Sequence, residues 1–485
     1  MSSLWLRNGS RTEDIGKYCE GGLCPIELGD RLANRFTVLH KLGYGGFATV
    51  WLVRDDDERH GRYVALKVVS ASWSQDYEPA AVVNRLRQFE RDNGSPGLFV
   101  LELEHVFHTS RNGRHLCQVF PVLGPSLASF NTFDDKLYLP FAKSFARQLA
   151  KALDTLHSLG IRHGDFMLKN VAIKLDKSLD SLTEEDFEEI FGDPEWESLE
   201  RYFPDTPSPA PGYAVDTGKL TFLPAEYLST AICIFDWDQA FFTEDPPRDL
   251  AHISPQYLSP EAIFNLNNSP AADIWALGSL PFHLRVPRLL FQDWMARDPE
   301  STVLRIYEVF GSLPQEWLAF LFLGGYPVHE PLELGVEYDS LKNVSGLTVP
   351  TLEQLVEEIR VPRSPRGTTS GKAGIEKFCL LLPTWELADR GREEERFLAR
   401  HTVPIQKGDA EPFLDLLRKI FEFDPAKRIT ARQILEHPWL VDDIDDTHYG
   451  EEHDGEEDVE DTGQGSGTGR GEEILQESGT GNQIG

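Results

Sequence analysis

The segment RHGDFMLKN, residues 162–170, places an aspartate and an asparagine five positions apart. This spacing is typical of a loop that transfers a phosphoryl group, in which the carboxylate accepts the proton of an incoming hydroxyl and the amide binds Mg²⁺. We therefore predict that Asp165 is the base and that Asn170 is a metal ligand. Further along, the apolar run AICIFD predicts a strand that ends at Asp236, whose carboxylate could bridge a metal to phosphate groups.

A second candidate feature is the glycine-rich turn LGYGGFATV, residues 42–50. Backbone that approaches a triphosphate closely requires residues without a Cβ, here Gly43 and Gly45, so that exposed N–H groups can meet phosphate oxygens. The segment VALK then places Lys67 in a buried strand, where a lone ammonium requires an anion. A glycine loop, a strand and a lysine on the next strand form the arrangement of protein kinases rather than that of P-loop NTPases.

These side chains require two kinds of supporting structure. The runs RFTVLHKLG, FATVWLVRD, RYVALKVVS and LCQVFPVLG are rich in β-branched and aromatic residues and predict short strands. After them, the apolar residues of LPFAKSFARQLAKALDTLHSLG recur on one face of a helix that stops at Gly160. We therefore predict an α+β fold with a small, β-rich N-lobe of antiparallel strands and a larger α-helical C-lobe.

Composition narrows the class of protein. The 485 residues are 40% hydrophobic and 26% charged, and the formal net charge is −32, which argues against a nucleic-acid partner and is compatible with a basic one. We see no secretory signal and no apolar run long enough to span a bilayer. The five cysteines are scattered, which indicates a reducing compartment. We expect a soluble protein of the cytoplasm, the nucleus or both.

The chain divides into three parts. Residues 1–35 are predicted to be a partly ordered lead-in, and residues 36–440 one folded unit, with the N-lobe at about 36–124 and the C-lobe at about 125–440. An acidic, then proline-rich insert occupies residues 176–229. From residue 441 to 485 there are 15 acidic residues against one arginine, with little apolar content, so we predict a disordered acidic tail.

Later segments complete an ordered series: SPE at 259–261, DIWALG at 273–278 and FDPAKRITARQILEHPWL at 423–440. Glu261 is predicted to pair with Arg428 in bidentate geometry, and Asp273 to cap the backbone of the catalytic loop. With YCEGGLCPIELGD, VALKVVSA, FPVLGPSL and PQYLSPEAI, the series makes the chain similar to eukaryotic protein kinases. Within them it resembles the SR-protein kinases, particularly fungal relatives, over roughly residues 15–440.

The resemblance implies a bilobal protein-kinase fold, ATP and Mg²⁺ as cofactors, and transfer to Ser or Thr of protein substrates, often basic or Arg/Ser-rich. It implies a monomer without direct contacts to nucleic acid or membrane. Asp165 and Lys169 would be catalytic, and Asn170 and Asp236 would bind the metal. The nucleotide would be bound by Leu42, Gly43, Gly45, Phe47, Val50, Lys67, Phe120 and Leu123.

Two departures from this family concern catalysis directly. The helix after Lys67 carries Asn84 where a glutamate usually holds the lysine, while Glu78 and Glu90 lie about two turns to either side. The usual lysine two residues after Asp165 is replaced by Met167. We expect Lys169 to supply that charge, because its four-carbon stem reaches a γ-phosphate from this offset, as in some tyrosine kinases.

Three further departures concern the surrounding segments. Gly164 replaces the usual arginine before the catalytic aspartate. Asp-Trp-Asp at 236–238 replaces Asp-Phe-Gly, so Asp238 is expected to stiffen this segment in place of a glycine. Leu258 replaces an arginine that relatives carry before SPE, which weakens the prediction of Arg/Ser-rich substrates.

Two other functions fit parts of the pattern. A pseudokinase would form the nucleotide pocket, transfer phosphate feebly and act as a scaffold. The HGD…N and FDWD segments also resemble small-molecule phosphotransferases that act on choline or aminoglycosides. Those enzymes lack the Glu261–Arg428 pair and the DIWALG helix, so the sequence favours a protein kinase first and a pseudokinase second.

Overall fold

A computed structural model describes most of the chain up to residue 441. The described residues are 4–5, 12–57, 62–75, 80–94, 97–130, 139–201, 209–217, 223, 227–246, 255–264, 269–284, 290–291, 299–311, 313–314, 351–362 and 402–441. The predicted tail, apart from Val441, lies outside the described residues, as does the whole of the segment 363–401.

Sixteen strands are present in the described residues. In chain order they are β1 (Leu4–Trp5), β2 (Arg31–Leu32), β3 (Phe36–Tyr44), β4 (Ala48–Asp55), β5 (Arg62–Val69), β6 (Glu104–Ser110), β7 (Gly113–Pro121), β8 (Ile161–Arg162), β9 (Val171–Leu175), β10 (Trp196–Ser198), β11 (Glu200–Arg201), β12 (Tyr213–Val215), β13 (Leu228–Ile234), β14 (Phe241–Phe242), β15 (Arg360–Pro362) and β16 (Thr402–Pro404).

Ten α-helices lie in the same described part of the chain. They are α1 (Ala81–Asn93), α2 (Leu139–Ser158), α3 (Glu184–Phe191), α4 (Pro260–Ile263), α5 (Ala271–His283), α6 (Pro299–Phe310), α7 (Leu352–Glu357), α8 (Lys407–Ile420), α9 (Ala431–Leu435) and α10 (Pro438–Val441). None of these helices is both long enough and apolar enough to cross a bilayer.

The N-lobe is a six-stranded antiparallel sheet in the order β2-β3-β4-β5-β7-β6. Apolar residues along its strands, among them Trp51, Leu66 and Val119, form one buried cluster. This confirms the predicted β-rich lobe, because the four predicted runs become β3, β4, β5 and β7. The sheet adds β6, which the sequence did not indicate, and its first strand begins at Arg31, inside the predicted lead-in.

The C-lobe is built around α2 and α5. The predicted face of α2 is buried at Phe145, Leu149, Leu153 and Leu156, and Gly160 follows the helix with a φ of 71°, a left-handed conformation that suits glycine. Helix α5 is buried all round, as its nearly continuous apolar sequence requires. The two lobes of the protein-kinase fold are thus both present, one made of strands and the other mainly of helices.

The lead-in and the insert both pack on the N-lobe. Glu13 accepts hydrogen bonds from Lys41 and Tyr18 in a buried cluster, and the Lys41 side chain is fully buried. Burial lowers the pKa of Lys41, which the nearby Glu13 partly offsets. In the insert, the Phe187 ring stacks on Tyr63 of β5 at 4.9 Å. Residues remote in sequence therefore pack against the sheet that carries the glycine-rich turn.

Candidate active site

The catalytic loop forms between β8 and β9 and brings Asp165 and Asn170 into contact. Asn170 Nδ2 donates to Asp165 Oδ2 at 2.9 Å and to the Asp165 carbonyl at 2.9 Å. Asp165 is only 8% exposed, and its Oδ1 atom is buried and accepts no hydrogen bond from the described residues. Because a buried carboxylate oxygen without a donor is unfavourable, this atom is well suited to receive a hydroxyl proton.

Asp273, in the first turn of α5, binds the backbone of this loop. Its carboxylate accepts from His163 N at 2.9 Å, from Gly164 N at 3.4 Å and from Arg162 Nε at 3.1 Å. Burial alone would raise the pKa of Asp273, but Arg162 and His157 outweigh burial and hold that pKa well below its usual value. The predicted capping role of Asp273 is confirmed, and its charge is fixed where it orders the loop.

Gly164 is required by the tertiary structure. Its φ is 78°, and a Cβ at this position would lie 2.3 Å from the carbonyl oxygen of Gln239. An arginine here would therefore clash with backbone and adopt an unfavourable conformation. The departure from the usual arginine thus follows from the close approach of the segment after Asp236.

Lys169 lies at the open side of the same loop. Its Nζ is 3.6 Å from Asp165 Oδ2, and its side chain is 59% exposed. Met167, in contrast, is buried among apolar residues of the C-lobe core. The structure therefore places a cation next to the predicted base at position 169, whereas the side chain at position 167 belongs to the core.

Strand β13 ends at Ile234, two residues before the predicted end, and Asp236 adopts a φ of 69°, which is unfavourable for a residue other than glycine. The next residue anchors this turn, because the buried Trp237 donates from Nε1 to the Val100 carbonyl at 2.7 Å. Phe235 N donates to the Asn170 carbonyl at 3.0 Å, so the two predicted metal-binding segments are adjacent. Strain held in place by packing is common at functional sites.

The carboxylate of Asp236 and the amide oxygen of Asn170 fit a magnesium site. Magnesium is bound in proteins by one or two such oxygens together with phosphate oxygens and water. Asp236 Oδ1 is buried and has no hydrogen-bond donor among the described residues, although Lys67 Nζ lies 3.5 Å away. These two residues would hold magnesium together with oxygens from nucleotide phosphates and from water.

Lys67 lies in β5, opposite Val50 in β4, and is 19% exposed. Its Nζ donates to Asp238 Oδ2 at 2.7 Å and lies 3.5 Å from Asp236 Oδ1. Burial lowers the pKa of the ammonium, but Asp238 and Asp236 together outweigh burial and raise it. Sequence reasoning found no carboxylate to hold Lys67 and did not consider Asp238, although an acid two residues after Asp236 was a usable signal.

Asp238 does not need to be glycine in this conformation. Among the described non-glycine residues, positive φ angles occur at Ala33, Asn34 and Asp236, and Asp238 is not one of them. The side chain extends to solvent, with 64% of its surface exposed. The stiffening of this segment by Asp238 stays a prediction.

The glycine-rich turn joins β3 to β4 opposite Lys67. Gly43 pairs with Val50, and Gly45 N donates to the Ala48 carbonyl at 2.8 Å. A Cβ at Gly43 would meet no atom within 4 Å, so packing within the protein does not require glycine there. The explanation predicted from the sequence, a close approach of this backbone to a nucleotide, stays a prediction for Gly43.

The other predicted nucleotide-binding residues lie around this turn and at the junction of the lobes. Phe47 is exposed at the tip, and its ring contacts Trp73 at 4.6 Å, while Leu42 is half-buried. Phe120 and Leu123 pack with Val100, Ala172 and Cys233, where the end of β7 meets β9 and β13. The structure thus brings the polar residues and an apolar floor to one region between the lobes.

The predicted pair Glu261–Arg428 is confirmed. Arg428 Nη1 and Nη2 donate to Glu261 Oε1 and Oε2 at 2.6 and 2.9 Å, and both side chains are buried. Arg428 Nη1 also donates to the Ala271 carbonyl at 2.7 Å. This bidentate pair joins α4 to the end of the C-lobe, which a lysine could not do with the same geometry.

Comparisons with known proteins agree with this geometry. Residues 226–440 match the family model of the protein kinase domain. A solved kinase-domain structure superposes with a TM-score of 0.50 at 20% identity, and it covers 86% of this chain and 98% of that one. At this identity the likeness shows the fold.

Sequence relatives extend the match. The chain is 26% identical over 465 residues to the serine/threonine-protein kinase SRPK of Physarum polycephalum, which covers 89% of this chain and 92% of the relative. It is 35% identical over 168 residues to SRSF protein kinase 3 of Mus musculus and 33% identical over 172 residues to protein kinase dsk1 of Schizosaccharomyces pombe. These last two alignments cover 29% and 31% of the relatives' own lengths.

Proposed function

We propose that this chain transfers the γ-phosphoryl group of ATP to serine or threonine hydroxyls of proteins, because residues 226–440 match the protein kinase domain and most of the chain is similar to an SR-protein kinase. The observation that carries the proposal is the Asp165 carboxylate, with one oxygen held by Asn170 and the other buried without a donor among the described residues. Such a group can both orient a hydroxyl and accept its proton.

Each of the described side chains has a separate role in phosphoryl transfer. Asp165 accepts the proton as the substrate oxygen attacks phosphorus and the bond to the departing ADP breaks. Lys169 and Lys67 supply positive charge on the two sides of that centre. Asp236 and Asn170 would hold magnesium, which when bound neutralises charge on the phosphate oxygens.

Basic protein segments, including Arg/Ser-rich ones, are the substrate class that we propose. The chain has a net charge of −32, which favours association with basic peptides through long-range attraction. One relative is named after the SRSF proteins, and this chain resembles it over a third of its own length. Leu258, which replaces an arginine of the resembled family, is buried against Ala262 and therefore offers no charge to a substrate.

A peptide assay tests the proposal. Purified protein with Mg-ATP should phosphorylate an Arg/Ser-rich peptide, a Lys-rich peptide with the same serines more slowly, and an acidic serine peptide least of all. Equal rates on all three would contradict the proposed preference. Phosphate on none of them, with ATP still bound, would contradict the kinase activity and favour a nucleotide-binding scaffold.

Mg-ATP should also stabilise the folded protein. A ligand that binds only the folded state at a hundredfold excess over its Kd stabilises by about 2.7 kcal/mol. We therefore expect a clear rise in unfolding temperature in a thermal-shift experiment with Mg-ATP. Asp236→Asn should reduce the rise, whereas Lys151→Ala, which changes an exposed lysine of α2, should preserve it. No rise for the parent protein would contradict both the kinase and the scaffold.

A further inference from the structure

The contact between Lys67 and Asp238 joins residues that are 171 positions apart. The amine donates to Asp238 at 2.7 Å, a normal distance for a charge-assisted hydrogen bond, and Asp236 is 3.5 Å away. No other ion pair of Lys67 occurs within the described residues. The amine is therefore held between two carboxylates of one short segment, one of which is a predicted metal ligand.

Helix α1 does not provide an equivalent anion at the position where one was expected. Asn84 is exposed on α1 and carries an uncharged amide. The buried residues of this helix, Val82 and Leu86, belong to the apolar cluster that includes Phe99 and the C-lobe core. An amide cannot replace a carboxylate as the partner of a partly buried ammonium, because that partner must offset the desolvation of a full charge.

We propose that Asp238 positions Lys67 for phosphoryl transfer, so that the carboxylate that orients this lysine comes from the segment of Asp236 and not from helix α1. This role rests on the proposed kinase function. Because Asp238 and Asp236 are separated by one residue, and Trp237 between them is anchored to Val100, the lysine and the metal ligand are fixed by the same turn. The orientation of Lys67 is then independent of where α1 lies.

The exposure of Asp238 separates this role from a structural one. An ion pair with one partner 64% exposed contributes little to folding. Loss of the Asp238 carboxylate should therefore leave the unfolding temperature nearly unchanged, while the Lys67 amine is no longer held in place. A residue that only stabilised the fold would show the opposite pattern.

The experiment compares Asp238→Asn with the parent, with Asp238→Glu and with Asp245→Asn. Asp245 is exposed seven residues further on, and its substitution removes the same charge without touching Lys67. Three quantities are measured: turnover on the Arg/Ser-rich peptide, the unfolding temperature, and the rate at which an amine-reactive acylating reagent modifies Lys67 without nucleotide, followed by mass spectrometry.

We expect Asp238→Asn to lower kcat roughly a hundredfold, the scale for a misplaced catalytic group. Acylation of Lys67 should become faster, because the amine loses the 2.7 Å hydrogen bond that holds it against Asp238. Asp238→Glu should restore part of both, and Asp245→Asn should behave like the parent.

Three results would overturn the role of Asp238. Unchanged acylation would show that Asp238 does not hold Lys67, and faster acylation with unchanged turnover would show that the contact does not position it. Faster turnover in Asp238→Asn would show that Asp238 withholds Lys67 from the nucleotide. If the parent transfers no phosphate, the kinase proposal fails by itself, and the proposed positioning for transfer fails with it. Acylation then reports separately whether Asp238 holds the amine.

Discussion

Lys169→Ala should lower turnover by about two to three orders of magnitude, the scale for removing one electrostatic stabiliser of a transition state. The ammonium lies 3.6 Å from the Asp165 carboxylate, and the Lys169 side chain is 59% exposed. Position 167, which usually carries the lysine, is occupied by a buried methionine. We therefore expect Lys169 to supply the positive charge that the loop contributes to the transferred phosphoryl group.

Steady-state kinetics on the Arg/Ser-rich peptide would measure this effect. Lys169→Arg retains the charge and should keep much of the activity, whereas Lys151→Ala on α2 serves as a control for loss of an exposed lysine. The KM for ATP should change less than kcat, because the charge is needed most as the phosphoryl group moves. A fully active Lys169→Ala protein would show that the cation comes from elsewhere.

Asp165→Asn should lower kcat by roughly a hundredfold or more, in line with the usual contributions of a general base and of substrate positioning. The amide preserves the shape of the side chain and can still accept the hydrogen bond that Asn170 donates at 2.9 Å. It removes the negative charge and the ability to accept a proton. ATP affinity should hardly change, because the proposed metal ligands are Asp236 and Asn170.

Peptide phosphorylation and ATP binding measured on the same two samples would test this assignment. Asp176→Asn is the matched control, since Asp176 is exposed just after β9 and outside the site. Equal phosphorylation by the parent and by Asp165→Asn would refute the assignment of the base. Absence of phosphorylation in both proteins would instead refute the kinase function.

Local patterns in the sequence determined much of the fold and the order of the site residues along the chain. Strands with alternating β-branched residues, the helix α2 with one apolar face, the glycine-rich turn and the loop from Asp165 to Asn170 depend on residues within one element or one turn. The same is true of Lys67, which lies on a strand, and of Asp236, which lies shortly after one. The bidentate pair Glu261–Arg428 was also predictable, because the series of segments resembles a known family whose members bring these two residues together.

Contacts between remote segments were decided by the tertiary structure. No local pattern connects Glu13 with the buried Lys41, or the insert residue Phe187 with Tyr63 on the sheet. Gly164 was read as a missing arginine, but its close approach to the Gln239 backbone shows why a side chain is excluded. Asp238 was read as a stiffer replacement for glycine, but its carboxylate contacts Lys67, 171 residues away. Such pairs depend on how the chain returns in space, which the spacing of residues along one element does not determine.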